Sequence, residues 1–139
     1  MDIKVTPSSN KPVAHAVGRR KSSVARVWLK RGKGQITVNE KTYTQYFDTE
    51  VARLAAYHPF EVYPNGAKQY DVIANVSGGG LRGQADAVKL AIARALLQTN
   101  ETIKPILKEH KLLSVDSRLK ERKKYGQKGA RRKFQFVKR

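Results

Sequence analysis

The chain of 139 residues contains no cysteine. That excludes a disulfide framework, a thiolate nucleophile and a thiolate metal site, and it suits a reducing compartment. No apolar run approaches the roughly 18 residues needed to span a membrane. The opening "MDIKVTPSSNKP" lacks the apolar stretch of a signal peptide and reads as a flexible polar leader over residues 1–12. Acids are scarce where bases concentrate. Lys and Arg number 29 against 11 Asp and Glu, a net charge of +18. Arg19 to Lys33 hold seven basic side chains and no acid, and Arg118 to Arg139 hold eleven with one acid, Glu121. Residues 34–117 carry nine of each sign. A neutral body with two positive arms reads as a folded platform that delivers cations to a polyanion.

Catalytic constellations are missing as well. His15, His58 and His110 are read as far apart, without a second ligand at i+3 or i+4, so no metal site is expected. His15 on a strand and His110 on a helix face read as packing or RNA-contacting residues. Asp48 and Glu50 read as a capping pair, and Ser22 and Ser23 have no nearby base to activate a nucleophile. No enzyme, no cofactor and no small-molecule substrate is expected.

Apolar periodicity places the body at residues 13–117. Val13 to Val17 form a short strand. Val24 to Leu29 form a second, with Ala25, Val27 and Leu29 on one face and Arg26, Trp28 and Lys30 on the other. "RGKG" supplies a turn before a strand in "QITVN", where Ile36 and Val38 share a face. Asp48 caps a short helix in which Val51, Leu54 and Ala55 share a face, and the helix stops at His58-Pro59. "FEVYPNGAKQYDVIANV" reads as a hairpin turning at Pro64-Asn65-Gly66, with Tyr70, Val72, Ala74 and Val76 on its buried face. The best helix runs from about Gly83 to Gln98, with Val88, Ala91, Ile92 and Ala95 in one stripe. Ala85, Ala87, Ala91, Ala93 and Ala95 let it lie close to a sheet. Pro105 opens a last helix that uses Ile106, Leu107, His110 and Leu113. Strands first and the main helices later predict a two-layer α+β sandwich. Residues 118–139 have too little to bury and too much like charge to collapse, and read as an extended, mobile tail.

One stretch calls for its own test. In "VSGGGLRGQADAVKLAIARAL", Gly78, Gly80 and Gly83 have the G-x-G-x-x-G spacing of a dinucleotide turn. Such a site also needs a second parallel strand ending in an acid about 20 residues later. Here "QTNETIKPILKEH" follows, polar and then helical, and Glu101 ends no strand. Gln84 and Ala85 stand where a phosphate-binding P-loop needs Lys and Ser/Thr. Two readings remain: a plain strand-to-helix turn, or helix-terminal amides that an RNA backbone approaches closely, with Arg82 beside them. The excess of positive charge favours the second.

Three stretches together carry a resemblance. "GRRKSSVARVWLKRGKGQITVN", "VSGGGLRGQADAVKLAIARAL" and "DSRLKERKKYGQKGARRKFQFVKR", in this order and spacing, resemble the small-subunit ribosomal protein nine family in its bacterial form, over about His15 to Arg139. The resemblance implies a two-layer α/β sandwich with a left-handed β-α-β crossover (ribosomal protein S5 domain 2-like) and an extended basic C-terminal tail. It implies a place in the head of the small subunit, cytoplasmic, bound to the 3′ domain of 16S-type ribosomal RNA beside neighbouring head proteins and away from any membrane. It also implies that the tail reaches the peptidyl site. On the family pattern Lys138 and Arg139 match transfer RNA contacts, and Gly18, Arg19, Arg20, Lys21 and Arg26 match the first ribosomal RNA stretch. The turn of Gly78, Gly79, Gly80, Arg82 and Gly83 matches the second, and the tail adds Arg122, Lys123, Lys124, Arg131, Arg132 and Lys133. Val137, Phe134 and Gly129 depart from the usual serine, small and basic residues of the family.

The residues themselves agree with that assignment. Arg19-Arg20-Lys21 follow Gly18, and Arg26, Lys30, Arg31 and Lys33 extend the acid-free run. Tyr125, Phe134 and Phe136 are interleaved with cations and could stack on bases, or Tyr125 could anchor the tail to the body. Gly126 and Gly129 let the tail bend. The rival classes are a nucleic-acid chaperone or DNA-compacting protein, which binds duplex DNA comparably, and a nucleotide-dependent RNA enzyme, which binds free nucleotide at Gly78 to Gly83.

Overall fold

The computed structural model describes residues 11–135. Its first two strands, β1 (Ala14–Arg20) and β2 (Ser23–Arg31), form an antiparallel hairpin closed across Arg20 and Ser23. Then follow β3 (Ile36–Val38), β4 (Lys41–Thr42), α1 (Tyr43–Tyr46), α2 (Glu50–Val62), α3 (Pro64–Gln69) and β5 (Tyr70–Ser77). The long α4 (Leu81–Thr99), a 3-10 turn (Glu101–Ile103) and α5 (Lys104–Glu109) complete the body. One five-stranded sheet has the order β1-β2-β5-β3-β4. Only β3 and β5 run parallel, so the chain leaves β3 through β4 and three helices and re-enters the sheet beside it.

Alternation decides which face of the sheet is covered. Ala14, Ala16, Ala25, Val27, Leu29, Ile36, Val38, Val72, Ala74 and Val76 all lie on one face and are buried. Against them packs α4, whose stripe of Val88, Ala91, Ile92 and Ala95 is wholly buried, and α2 packs on α4 in turn. The expected small residues of α4 are all buried, and they explain how close it lies. A Cβ at Gly18 would overlap the carbonyl oxygen of Ala87, so this strand position admits no side chain. Among the described residues no helix covers the opposite face of the sheet, which carries His15, Arg26 and Trp28.

Several expectations need correction. The hairpin turning at Pro64-Asn65-Gly66 does not exist: Phe60 to Val62 end α2, and Pro64 opens α3. Proline is as well suited to the first turn of a helix as to a tight turn, and Gly66 is buried, where a Cβ would touch Leu96 and Tyr63. Nor does α2 stop at His58-Pro59. It runs through Pro59, because burying Pro59 and Phe60 in the core outweighs the missing backbone donor. Thr49, not Asp48, is its N-cap, accepting from the Ala52 amide at 3.3 Å. The buried face of α2 is Ala52, Ala56, Pro59 and Phe60, which leaves Val51 and Leu54 exposed. In α5, Leu107 is buried but Ile106 and His110 face outward, their places taken by Ile103 and Leu112. Tyr70 is only half-buried at the end of its strand.

A candidate nucleic-acid interface

Two turns distant in sequence are stacked on one another at one end of the sheet. Lys21, in the β1–β2 turn, takes a left-handed backbone with φ 53°. Gly78 (φ +76°) and Gly79 (φ +63°), in the turn from β5 to α4, lie directly against Ser22 and Ser23. The wholly buried Ser23 donates its hydroxyl to the Gly78 carbonyl at 3.0 Å, and Gln84 Nε2 donates to the same oxygen at 3.0 Å. Tyr46 completes the link by donating its hydroxyl to Gln84 Oε1 at 2.6 Å.

The glycines of the motif therefore divide. Side chains at Gly78 and Gly79 would collide with the first turn, and one at Gly83 would press on Ser23, whereas Gly80 has open space around it. Gly80 is also the N-cap of α4, and no side chain caps the helix there. The amides at this helix start remain available to an anion from outside.

Stacking the two turns brings the two cationic stretches together. Arg20 Nε, Arg82 Nε and Lys89 Nζ surround the mostly buried Asp86 carboxylate at 3.8, 3.6 and 3.8 Å. Around them opens a cleft of about 550 Å³, lined by Arg19, Lys21, Arg82, Gly83, Lys89, Lys111 and Arg118 as well as by Arg20, Asp86 and Asp116. Seven cations face two acids. The acids do not neutralise the wall: Asp86 lies within ion-pair range of three cations but accepts no hydrogen bond, whereas Asp116 accepts from the Arg118 amide at 3.1 Å and from its guanidinium at 2.7 to 3.1 Å. Those hydrogen bonds hold the Asp116 carboxyl well below the usual carboxylate range.

Not every expected residue joins this cleft. Arg26 lies on the open face of the sheet, its guanidinium 5.9 Å from the Trp28 ring, which in turn lies 4.9 Å from His15. Gly18 is occupied by packing on α4. In the tail, Arg122, Lys123, Arg131, Arg132 and Lys133 are exposed and Lys124 half-exposed, none of them in the cleft. The tail has no helix or strand among its described residues, but it is not fully extended: a bridge pairs Gln127 with Lys133, and Arg131 meets Glu121 at 3.0 Å. Tyr125 is 97% exposed and does not anchor the tail to the body. Phe136, Lys138 and Arg139 lie outside the described residues, as does most of the leader.

Other features escaped sequence reasoning. Asp86 and Lys89 were legible in principle, because Arg82, Asp86 and Lys89 have the i, i+4 and i, i+3 spacings of helix ion pairs. Lys111, Asp116 and Arg118 were not, since only the fold brings them to Arg20. Asp71 accepts the backbone amides of Lys33, Gly34 and Gln35, each at 2.9 Å, and so shapes the basic "RGKG" turn. The histidines are not all apart: His58 and His110 rings lie 6.0 Å from each other, and Glu61, at i+3 from His58, approaches it to 3.5 Å. Among the described residues no group of three or more His, Asp or Glu could hold a metal ion, and no helix is long and apolar enough to cross a membrane.

The family described as "Ribosomal protein S9/S16" matches residues 18–139. The chain is 48% identical over 139 residues to "Small ribosomal subunit protein uS9" of Methylacidiphilum infernorum, covering 100% of both chains. Proteins of the same title from Chlorobium limicola and Chlorobaculum parvum are 49% and 50% identical over 129 residues, 93% of this chain and 99% of each relative.

Proposed function

The chain belongs to the ribosomal protein S9/S16 family, and on that premise we propose that its basic cleft binds 16S-type ribosomal RNA in the 3′ domain of the small-subunit head. Membership makes it a structural, non-enzymatic component of the small ribosomal subunit, at work in translation. The observation that carries the RNA reading is the convergence of Arg19, Lys21, Arg82, Lys89, Lys111 and Arg118 on one cleft beside the uncapped start of α4. Cations fixed by carboxylates at their base suit the repeating phosphates of a folded RNA, where position counts as much as charge. Gly18 and Arg20 act from behind the cleft surface, and Arg26 offers a separate contact on the open sheet face. The parallel return of β3 and β5 across three helices is a β-α-β crossover, and its left hand is proposed on family membership alone.

The same reading takes the tail, residues 118–139, away from the body through RNA. Its Arg122, Lys123, Lys124, Arg131, Arg132 and Lys133 neutralise ribosomal phosphates, and Lys138 and Arg139 those of peptidyl-site transfer RNA. Ribosomes carrying the chain truncated after Val137 are expected to release peptidyl-site transfer RNA faster; an unchanged off-rate would remove the transfer RNA contact from the reading.

The deciding experiment measures binding of the full chain to a head-domain transcript and to duplex DNA of equal length across a salt series. Head-domain RNA should retain the chain at about 0.5 M salt, where the Debye length has shrunk to about 4–5 Å, while duplex DNA releases it. Arg82→Ala should reduce the logarithmic salt slope by about 0.7–0.9. Equal binding to both nucleic acids would overturn the reading in favour of general nucleic-acid compaction.

A further inference from the structure

We infer that Arg20 is a positioning residue that fixes the root of the tail, rather than a phosphate contact of its own. The inference rests on the RNA-binding reading above. Its neighbours Arg19 and Lys21 are exposed, but the Arg20 side chain is only 13% exposed. One short hydrogen bond and three longer polar contacts surround its guanidinium. Nε faces Asp86 Oδ2 at 3.8 Å, and Nη2 faces Asp116 Oδ2 at 3.5 Å. Nη1 donates to the backbone carbonyls of Asp116 and Arg118 at 3.4 and 2.7 Å.

These contacts span 96 and 98 residues of sequence and join three parts: the end of β1, the first turns of α4 and the segment where the tail begins. Leu112 is the last buried apolar residue before that segment, so apolar packing no longer holds the chain there. The bond to the Arg118 carbonyl is the last hydrogen bond from the body to the tail among the described residues. Asp116 makes the joint two-sided, gripping Arg20 from one side and the Arg118 amide and guanidinium from the other. Only a planar fork with several fixed donors can meet two carbonyls and two carboxylates at once; an ammonium on the same stem cannot. A tail held at its root leaves the body in one direction and gives up less freedom when it threads RNA.

The sign of one substitution separates positioning from simple attraction. Asp116→Asn removes one negative charge and frees the Arg118 guanidinium, so the electrostatic field alone predicts tighter RNA binding. The pin predicts the reverse: binding to the head-domain transcript weakened about fivefold as the tail loses its preset direction, with the body still melting in one cooperative transition. Arg20→Lys, which keeps the charge and loses the fork, should weaken it similarly. Without RNA, trypsin cleavage after Arg118 and Lys120 should accelerate about tenfold in both variants as the joint opens. Unchanged cleavage in both, or Asp116→Asn binding as tightly as the parent or more so, would overturn the inference. If the parent shows no preference for head-domain RNA, the RNA reading falls, and the cleavage rates still decide whether Arg20 pins the tail.

Discussion

Gly18 and Gly126 are the same residue in two regions built on opposite principles. At Gly18 a single added carbon would drive into the backbone of α4, so the position is dictated by close packing inside the body. At Gly126 the backbone is left-handed, φ +72°, and nothing lies within 4 Å of where a side chain would start. The surrounding rings follow suit. Phe47 and Phe60 of the body are buried, whereas Tyr125 and Phe134 of the tail are 97% and 58% exposed. Burial returns roughly 25 cal/mol per Å² of apolar surface, and ordering one residue costs roughly 1–2 kcal/mol of backbone entropy. The body recovers that cost internally. Among its described residues the tail leaves its large apolar side chains exposed, so a partner must order it, and its charge names the partner as a polyanion.

The contrast can be broken or sharpened by measurement. The largest effect is expected in the body: Leu96→Ala, at a wholly buried position of α4, should lower unfolding free energy by about 2–5 kcal/mol. Tyr125→Ala in the same urea titration should change it by less than about 0.5 kcal/mol. A tail substitution with a cost like that of Leu96 would mean that the tail packs on the body after all.

A smaller effect tests the joint between the regions. Because the hydrogen bonds from Arg118 lower the Asp116 pKa on folding, its contribution to stability is present above the unfolded value, about 3.9, and fades as pH falls through the lower folded value. Carboxyl NMR shifts should therefore find Asp116 still ionised near pH 3, where unpaired acids are largely protonated. A midpoint close to the ordinary value would show that the Asp116–Arg118 pair does not hold in solution. High salt should move the midpoint back toward that value.

How much of this could be read in advance depended on the range of the interaction. The face alternation of Ala25, Val27 and Leu29 and the stripe of Val88, Ala91, Ile92 and Ala95 were legible because each period lies within one element. Pro59 and Pro64 misled because proline's local preference was weighed without the core. The motif glycines kept two readings open, and the fold distributes them between both: Gly78 and Gly79 serve the stacking of turns, and Gly80 leaves the helix start open. Arg20 read as one of three equivalent cations. It differs from Arg19 and Lys21 only through Asp86 and Asp116, and nothing within five residues of it announces either partner.

What the sequence determined by itself is the division of labour: an alternating and periodic body, a basic stretch that the fold builds into its first hairpin, a second basic stretch after it, and motifs sufficient to place the family. Charge and short-range periodicity are local sums, and they survive any uncertainty about topology. What only the tertiary structure decided is which cations work together. Inserting β5 between β2 and β3 carries the glycine turn onto the β1–β2 turn, and packing α4 on β1 brings Asp86 to Arg20. A guanidinium mostly withdrawn from solvent takes its role from the atoms around it, and those atoms come from parts of the chain that meet only when it folds.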